Sequence, residues 1–139
     1  MRERLFDIAI DLIKRGYTII THECETYFHV TDGLHVLYVQ TQYFTDVSVS
    51  IPYKPDRKYG SACRLVDNAT VGDIVRLFNE LKQDYSPRTI YRYNDILKHE
   101  KGDPILYSSL DEWFNSLWDK DKTVVVDTVE QFNELFTIQ

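Results

Sequence analysis

The chain has 139 residues, 43% hydrophobic and 27% charged, which is enough for one domain that buries about two-thirds of its unfolded surface and excludes global disorder. No apolar run approaches the roughly 20 residues of a membrane-spanning helix, so no membrane role is expected and the protein is placed in the cytoplasm. The net charge of −6 argues against steering toward nucleic acid by the overall field, although residues 1 to 70 carry 8 basic and 9 acidic side chains and residues 71 to 139 carry 8 and 13.

Residues 3 to 15 read as an amphipathic helix: Leu5, Ile8, Ala9, Leu12 and Ile13 recur at helical spacing, and Gly16 is a natural stop. The period then changes to two. YTIIT, TYFHV, HVLYVQTQ and DVSVSI are rich in β-branched and aromatic residues and predict four antiparallel strands. Asp32-Gly33 predicts a two-residue hairpin turn that pairs Thr31 with Leu34 and His29 with Val36. Val47, Val49 and Ile51 alternate with Asp46, Ser48 and Ser50, as expected for a sheet with one dry and one wet face.

ACRLV, 62 to 66, reads as a short fifth strand, and DNATVGDIVRLFNELK as a second helix capped by Asn68 or Thr70 with Val71, Ile74, Val75, Phe78 and Leu81 on its apolar face. Ser86-Pro87 is a helix entry. Capping-box patterns at Ser109/Glu112 and Thr128/Gln131 start two further helices, with TVVV between them as a strand. The expected fold is α+β: an antiparallel β-meander of four to five strands covered by helices, with a helical C-terminal portion containing one short strand. Residues 1–139 read as a single domain, within which 86–139 could form a lobe.

Cys24 and Cys63 are too few for a disulfide scaffold and lack metal-finger spacing. The segment THECETYFHVTDGLH invites a metal reading through His22, His29 and His35. The predicted hairpin opposes it, since that pairing turns His29 and His35 to opposite faces, and HECET lacks the second histidine of a zinc-protease helix. No metal and no cofactor are expected. His29-Val30-Thr31 matches one half of a paired phosphoesterase element with no second copy, and no P-loop, dinucleotide fingerprint or nucleophile elbow occurs, so no catalytic residue is assigned.

The candidate surface is the loop IPYKPDRKYGSACRL. Lys54, Arg57, Lys58 and Arg64 interleave with Tyr53 and Tyr59, a mixture of cations and aromatic rings that single-stranded nucleic acid binders use, and Gly60 permits close backbone approach. The alternative is a solvated loop that ion-pairs with the acidic C-terminal half. Arg88, Arg92, Lys98 and Lys101 in the segment 86 to 101 would enlarge the basic surface if they joined it.

Tyr38-Val39-Gln40, the strand VSVS and then YKPDRKYGSACRL resemble a pattern in small accessory proteins of phages, plasmids and other mobile elements, where a strand leads into a Lys-Pro-Asn/Asp turn and a small-residue run around glycine. The resemblance spans about residues 30 to 80. Ala62 and Cys63 stand where the relatives repeat the glycine and place an aromatic. It implies a mobile-element accessory protein. Together with the surplus of tyrosine and tryptophan, it leads us to expect a non-enzymatic protein that binds a macromolecular partner, foremost a host or phage protein, with self-association as a further option. Two alternatives are a nucleic-acid-binding module acting through the basic loop and an acidic nucleic-acid mimic built on residues 103 to 139, which carry 8 acidic and 2 basic side chains.

Overall fold

The computed structural model describes residues 2–42, 46–54, 62–85, 105–117 and 120–136. Helix α1, Arg2–Lys14, buries Leu5, Ile8, Ala9, Leu12 and Ile13, the stripe its spacing predicts. It ends in a Schellman motif: Gly16 adopts φ +97°, the Tyr17 N–H donates to the Leu12 carbonyl, and the Gly16 N–H donates to that of Ile13. The chain then enters the sheet.

Strands β1 (Thr18–Thr21), β2 (Tyr27–Thr31), β3 (Val36–Gln42), β4 (Asp46–Pro52) and β5 (Ala62–Val66) form an antiparallel meander, and β6 (Val124–Val126) adds to the outer side of β1, for a final order β5-β4-β3-β2-β1-β6. One face carries Ile19, Phe28, Val30, Leu37, Val39, Val47, Val49, Ile51 and Leu65, all in the main core. Helix α2, Val71–Gln83, covers this face with Ile74, Leu77, Phe78 and Leu81. Its cap is Thr70, in a capping box closed by Asp73, while Asn68 stands just before it with φ +52°.

Helix α3, Leu110–Ser116, lies over the opposite face and inserts Trp113 against Ile20 and Val36. Helix α4, Val129–Phe136, returns to the first face, where Phe132 and Phe136 meet Phe6 of α1 at 5.4 and 4.7 Å between ring centroids. Residues 105–117 and 120–136 therefore lie on the two faces of the sheet, with β6 at the edge between α3 and α4. The fold is α+β, with an antiparallel sheet, covering helices and one short C-terminal strand, as the sequence pattern implies.

Two expectations are corrected. The β2–β3 connection is four residues, Asp32 to His35, because Thr31 pairs with Val36 and His29 with Tyr38. Asp32 Oδ1 accepts from the backbone N–H of both Leu34 and His35, an Asx-type wrap that needs the longer loop. His35 thus lies in the turn and not on a strand. The expected wet face is also buried at Ser48 and Ser50; on that side of the sheet α3 packs Trp113 on Ile20 and Val36. The helix entry at Ser86-Pro87 lies outside the described residues.

Phe78 is fully buried and stacks on Tyr17 at 5.1 Å, so Phe78→Ala is expected to cost roughly 3–5 kcal/mol, against about 1 kcal/mol for removal of the Thr70 cap by alanine. Urea midpoints at constant m-value measure both. Equal losses would mean that α2 is not anchored through Phe78.

Candidate functional site

The basic loop is reached first through its two ends. Tyr53 follows β4 directly and is only 2% exposed; it forms an isolated bridge with Leu106 and belongs to the core, so its ring is not available for stacking on a ligand. Lys54 Nζ lies 2.7 Å from a carboxylate oxygen of Glu112 on α3, and the Lys54 N–H donates to the Ile105 carbonyl. Arg64, on β5, faces Asp67 at 3.6 Å. Two of the four cations therefore meet the chain's own acids. Arg57, Lys58, Tyr59 and Gly60 lie outside the described residues, as do Arg88, Arg92, Lys98 and Lys101.

Glu112 is a junction of this end. Its backbone N–H donates to the capping hydroxyl of Ser109, while its carboxylate accepts from the Ser108 N–H and hydroxyl in addition to Lys54. Lys54 first, then Ser108, hold the Glu112 carboxyl down at about 2. The exposed pair adds little stability, but it directs the Lys54 charge to the protein itself.

Sequence reasoning left unmarked a groove at the same end of the sheet. It is lined by Leu34, His35, Val36, Tyr85, Tyr107, Ser108, Ser109, Leu110 and Trp113. The hairpin places His35: Asp32 accepts from the His35 N–H at 2.8 Å, and Thr31 Oγ1 donates to the His35 carbonyl at 2.7 Å. The Asp32 side chain is 3% exposed, with Oδ2 standing 4.0 Å from His35 Nδ1 and 3.8 Å from Lys82 Nζ. Neither Oδ2 nor Nδ1 has a hydrogen-bond partner. Tyr85 packs on the imidazole at 4.4 Å. Burial lowers the His35 pKa, opposed by Asp32 and reinforced by Lys82, so the ring is neutral at pH 7; burial pushes Tyr85 up to about 12. Leu34 at 63% and Ile105 at 67% exposure are large apolar side chains left in solvent, Leu34 on the groove and Ile105 two residues before Tyr107.

Behind the groove, Ile20, His29, Tyr38, Ser50 and Arg64 stand directly opposite one another across β1 to β5. The His29 ring lies 4.9 Å from Tyr38 and 4.8 Å from Trp113. That enclosure, with the neighbouring His22, drives its pKa down to about 3. His22 bridges Tyr27 Oη at 3.1 Å and Thr123 Oγ1 at 2.8 Å, tying the β1–β2 loop to the residue before β6. The contact of His29 with Trp113 ties this row of the sheet to the groove wall.

Among the described residues, no group of three His, Cys, Asp or Glu side chains is placed to hold a metal ion, and no helix is long and apolar enough to cross a membrane. Comparison with protein-family models, curated proteins and solved structures finds no match. The site therefore has to be read from its own chemistry.

His29 favours its neutral form in the folded protein. Its contribution to stability is complete above the unfolded value near 6.5 and is lost as pH falls toward about 3, at roughly 1 kcal/mol per pH unit between them. His29→Phe should flatten that part of the stability profile, and the His29 ring protons should not titrate above pH 4. A normal titration near 6.5 would show that the ring is solvated.

Proposed function

We propose that the chain is a non-enzymatic binding protein, an accessory factor of the mobile-element type, whose partner is another protein. The observation that carries this reading is the exposure of two large apolar side chains, Leu34 at 63% on an aromatic-lined groove and Ile105 at 67% two residues before the groove residue Tyr107. Aromatic residues around exposed aliphatic ones are what protein interface centres use. The basic loop supports a nucleic-acid reading less well, because Tyr53 is buried and Lys54 and Arg64 are engaged by Glu112 and Asp67.

The groove chemistry also speaks for binding. An imidazole backed by a carboxylate is half of a hydrolytic site, but the serine hydroxyls of the lining are committed elsewhere: Ser108 to the Glu112 carboxylate and Ser109 to the α3 cap. Neither is poised as a nucleophile for His35.

Affinity capture from host lysate tests the proposal. The wild type is expected to retain a protein after nuclease treatment, and the double variant Leu34→Asp/Ile105→Asp to lose it at least ten-fold. Neutralising Lys54, Arg57, Lys58 and Arg64 together should have the smaller effect. Capture that vanishes with nuclease and with those four charges, and that falls steeply with salt, would move the function to nucleic acid.

A further inference from the structure

We infer that Asp32, His35 and Lys82 form a proton-operated latch between the β2–β3 turn and the end of α2. While His35 is neutral, the buried Asp32 carboxylate holds Lys82 and with it the last turn of the helix. When His35 takes up a proton it replaces Lys82 at that carboxylate and frees the helix end. The latch belongs to the fold itself and stands whichever partner the protein binds.

The two oxygens of Asp32 have different tasks. Oδ1 accepts from the backbone N–H groups of Leu34 and His35 at 2.9 and 2.8 Å, and so fixes the turn. Oδ2 lies on a side chain that is 3% exposed and has no hydrogen-bond partner among the described residues. A buried carboxylate oxygen left without a donor is costly, which favours the approach of a cation. Two groups flank it, Lys82 Nζ at 3.8 Å and His35 Nδ1 at 4.0 Å, and Nδ1 is itself buried and unpartnered. Both separations exceed a hydrogen bond by about 1 Å, so a small movement closes either contact.

Charge decides between them. With the ring neutral, Lys82 is the cation at Oδ2. Protonation sets a second cation beside the same oxygen, while the other oxygen stays committed to the two amides. Lys82 is the one that leaves. Its side chain is 46% exposed and regains water at little loss, whereas the ring side chain is 13% exposed and lies against Tyr85 at 4.4 Å between centroids. The His35 backbone is pinned from both sides, by Asp32 on its N–H and by Thr31 Oγ1 on its carbonyl.

The groups that face this cluster from each neighbouring element are Asp32 in the turn, Lys82 on α2, Tyr85 beyond it and Tyr107 across the groove, with Tyr17 near enough to Asp32 to feel its charge. Burial first lowers the His35 pKa, Asp32 opposes that and Lys82 adds to it. The latched state therefore holds fully above the ordinary value of 6.5 and gives way as pH falls through the lower folded midpoint. Release of Lys82 loosens the turn in which the Asp84 N–H donates to the Glu80 carbonyl, and Tyr85, which lines the groove, follows it.

The test is a titration of the full chain from about pH 8 to about pH 5, reading the His35 ring nitrogens, the Lys82 ε-methylene shift and the Asp84 amide. In the wild type all three are expected to move with one midpoint below 6.5, and Nδ1 to become hydrogen-bonded on the acid side. Lys82→Gln should raise the ring midpoint, and Asp32→Asn should lower it and remove the response of Lys82. His35→Gln should leave Lys82 and the Asp84 amide without a transition in this range. Dispersed amide spectra show that each variant is folded; because Asp32 also builds the turn, Lys82→Gln and His35→Gln decide the matter if Asp32→Asn does not fold. A ring midpoint that Lys82→Gln leaves unchanged or lowers overturns the latch, and so does a wild-type Lys82 signal that stays still while the ring titrates.

Discussion

The pairing of β6 with β1 holds the three layers together. Three residue pairs, Ile19 with Val126, Ile20 with Val125 and Thr21 with Val124, are extended by a hydrogen bond from Thr18 Oγ1 to Asp127. Through them the chain passes from α3 on one face to α4 on the other. Without that edge crossing the meander would keep one dry face, and Trp113 would have no reason to sit on the other. Each covering element then has its own apolar contact: Trp113 on Ile20 and Val36, and Phe132 and Phe136 on Phe6.

A sheet buried on both faces must do something with the polar residues its alternation leaves on the second one. His29 is kept neutral between Tyr38 and Trp113, His22 finds hydrogen-bond partners in Tyr27 and Thr123, and Ser48 is buried with its hydroxyl unpartnered. An unpaired hydroxyl is a modest cost beside the burial of a tryptophan. The enclosed His29 imidazole is tolerable only while uncharged, which couples the integrity of the α3 layer to pH.

The same layer produces the groove. The hairpin supplies one wall through Leu34 and His35, α3 and the residues before it supply the other, and Tyr85 closes the end beyond α2. Asp32 organises the hairpin through one carboxylate oxygen and polarises His35 with the other. One buried side chain thus links turn geometry to the chemistry the groove offers. The cations that dominate the sequence of the neighbouring loop are, where described, drawn onto Glu112 and Asp67, so the polar character of this end is set more by imidazole and hydroxyl than by net charge.

Period and capping chemistry alone determined much of the secondary structure: the α1 stripe from Leu5 to Ile13, the five meander strands, a cap for α2 at Asn68 or Thr70, and TVVV between two capped helices are local patterns that burial then respected. The β2–β3 register was not legible, because whether Asp32 folds back on two amides or leaves a two-residue turn depends on the packing around its buried carboxylate. Nor was the fate of the basic loop's ends, since Lys54 meets Glu112 across 58 positions of chain. Tertiary structure decided which face Trp113 covers, and so it made a groove from Leu34, His35, Tyr85 and Tyr107, residues with no shared motif. Local sequence encodes torsional preference and which side of an element is apolar; a site assembled from a turn, a helix end and a distant segment exists only once the sheet brings them together.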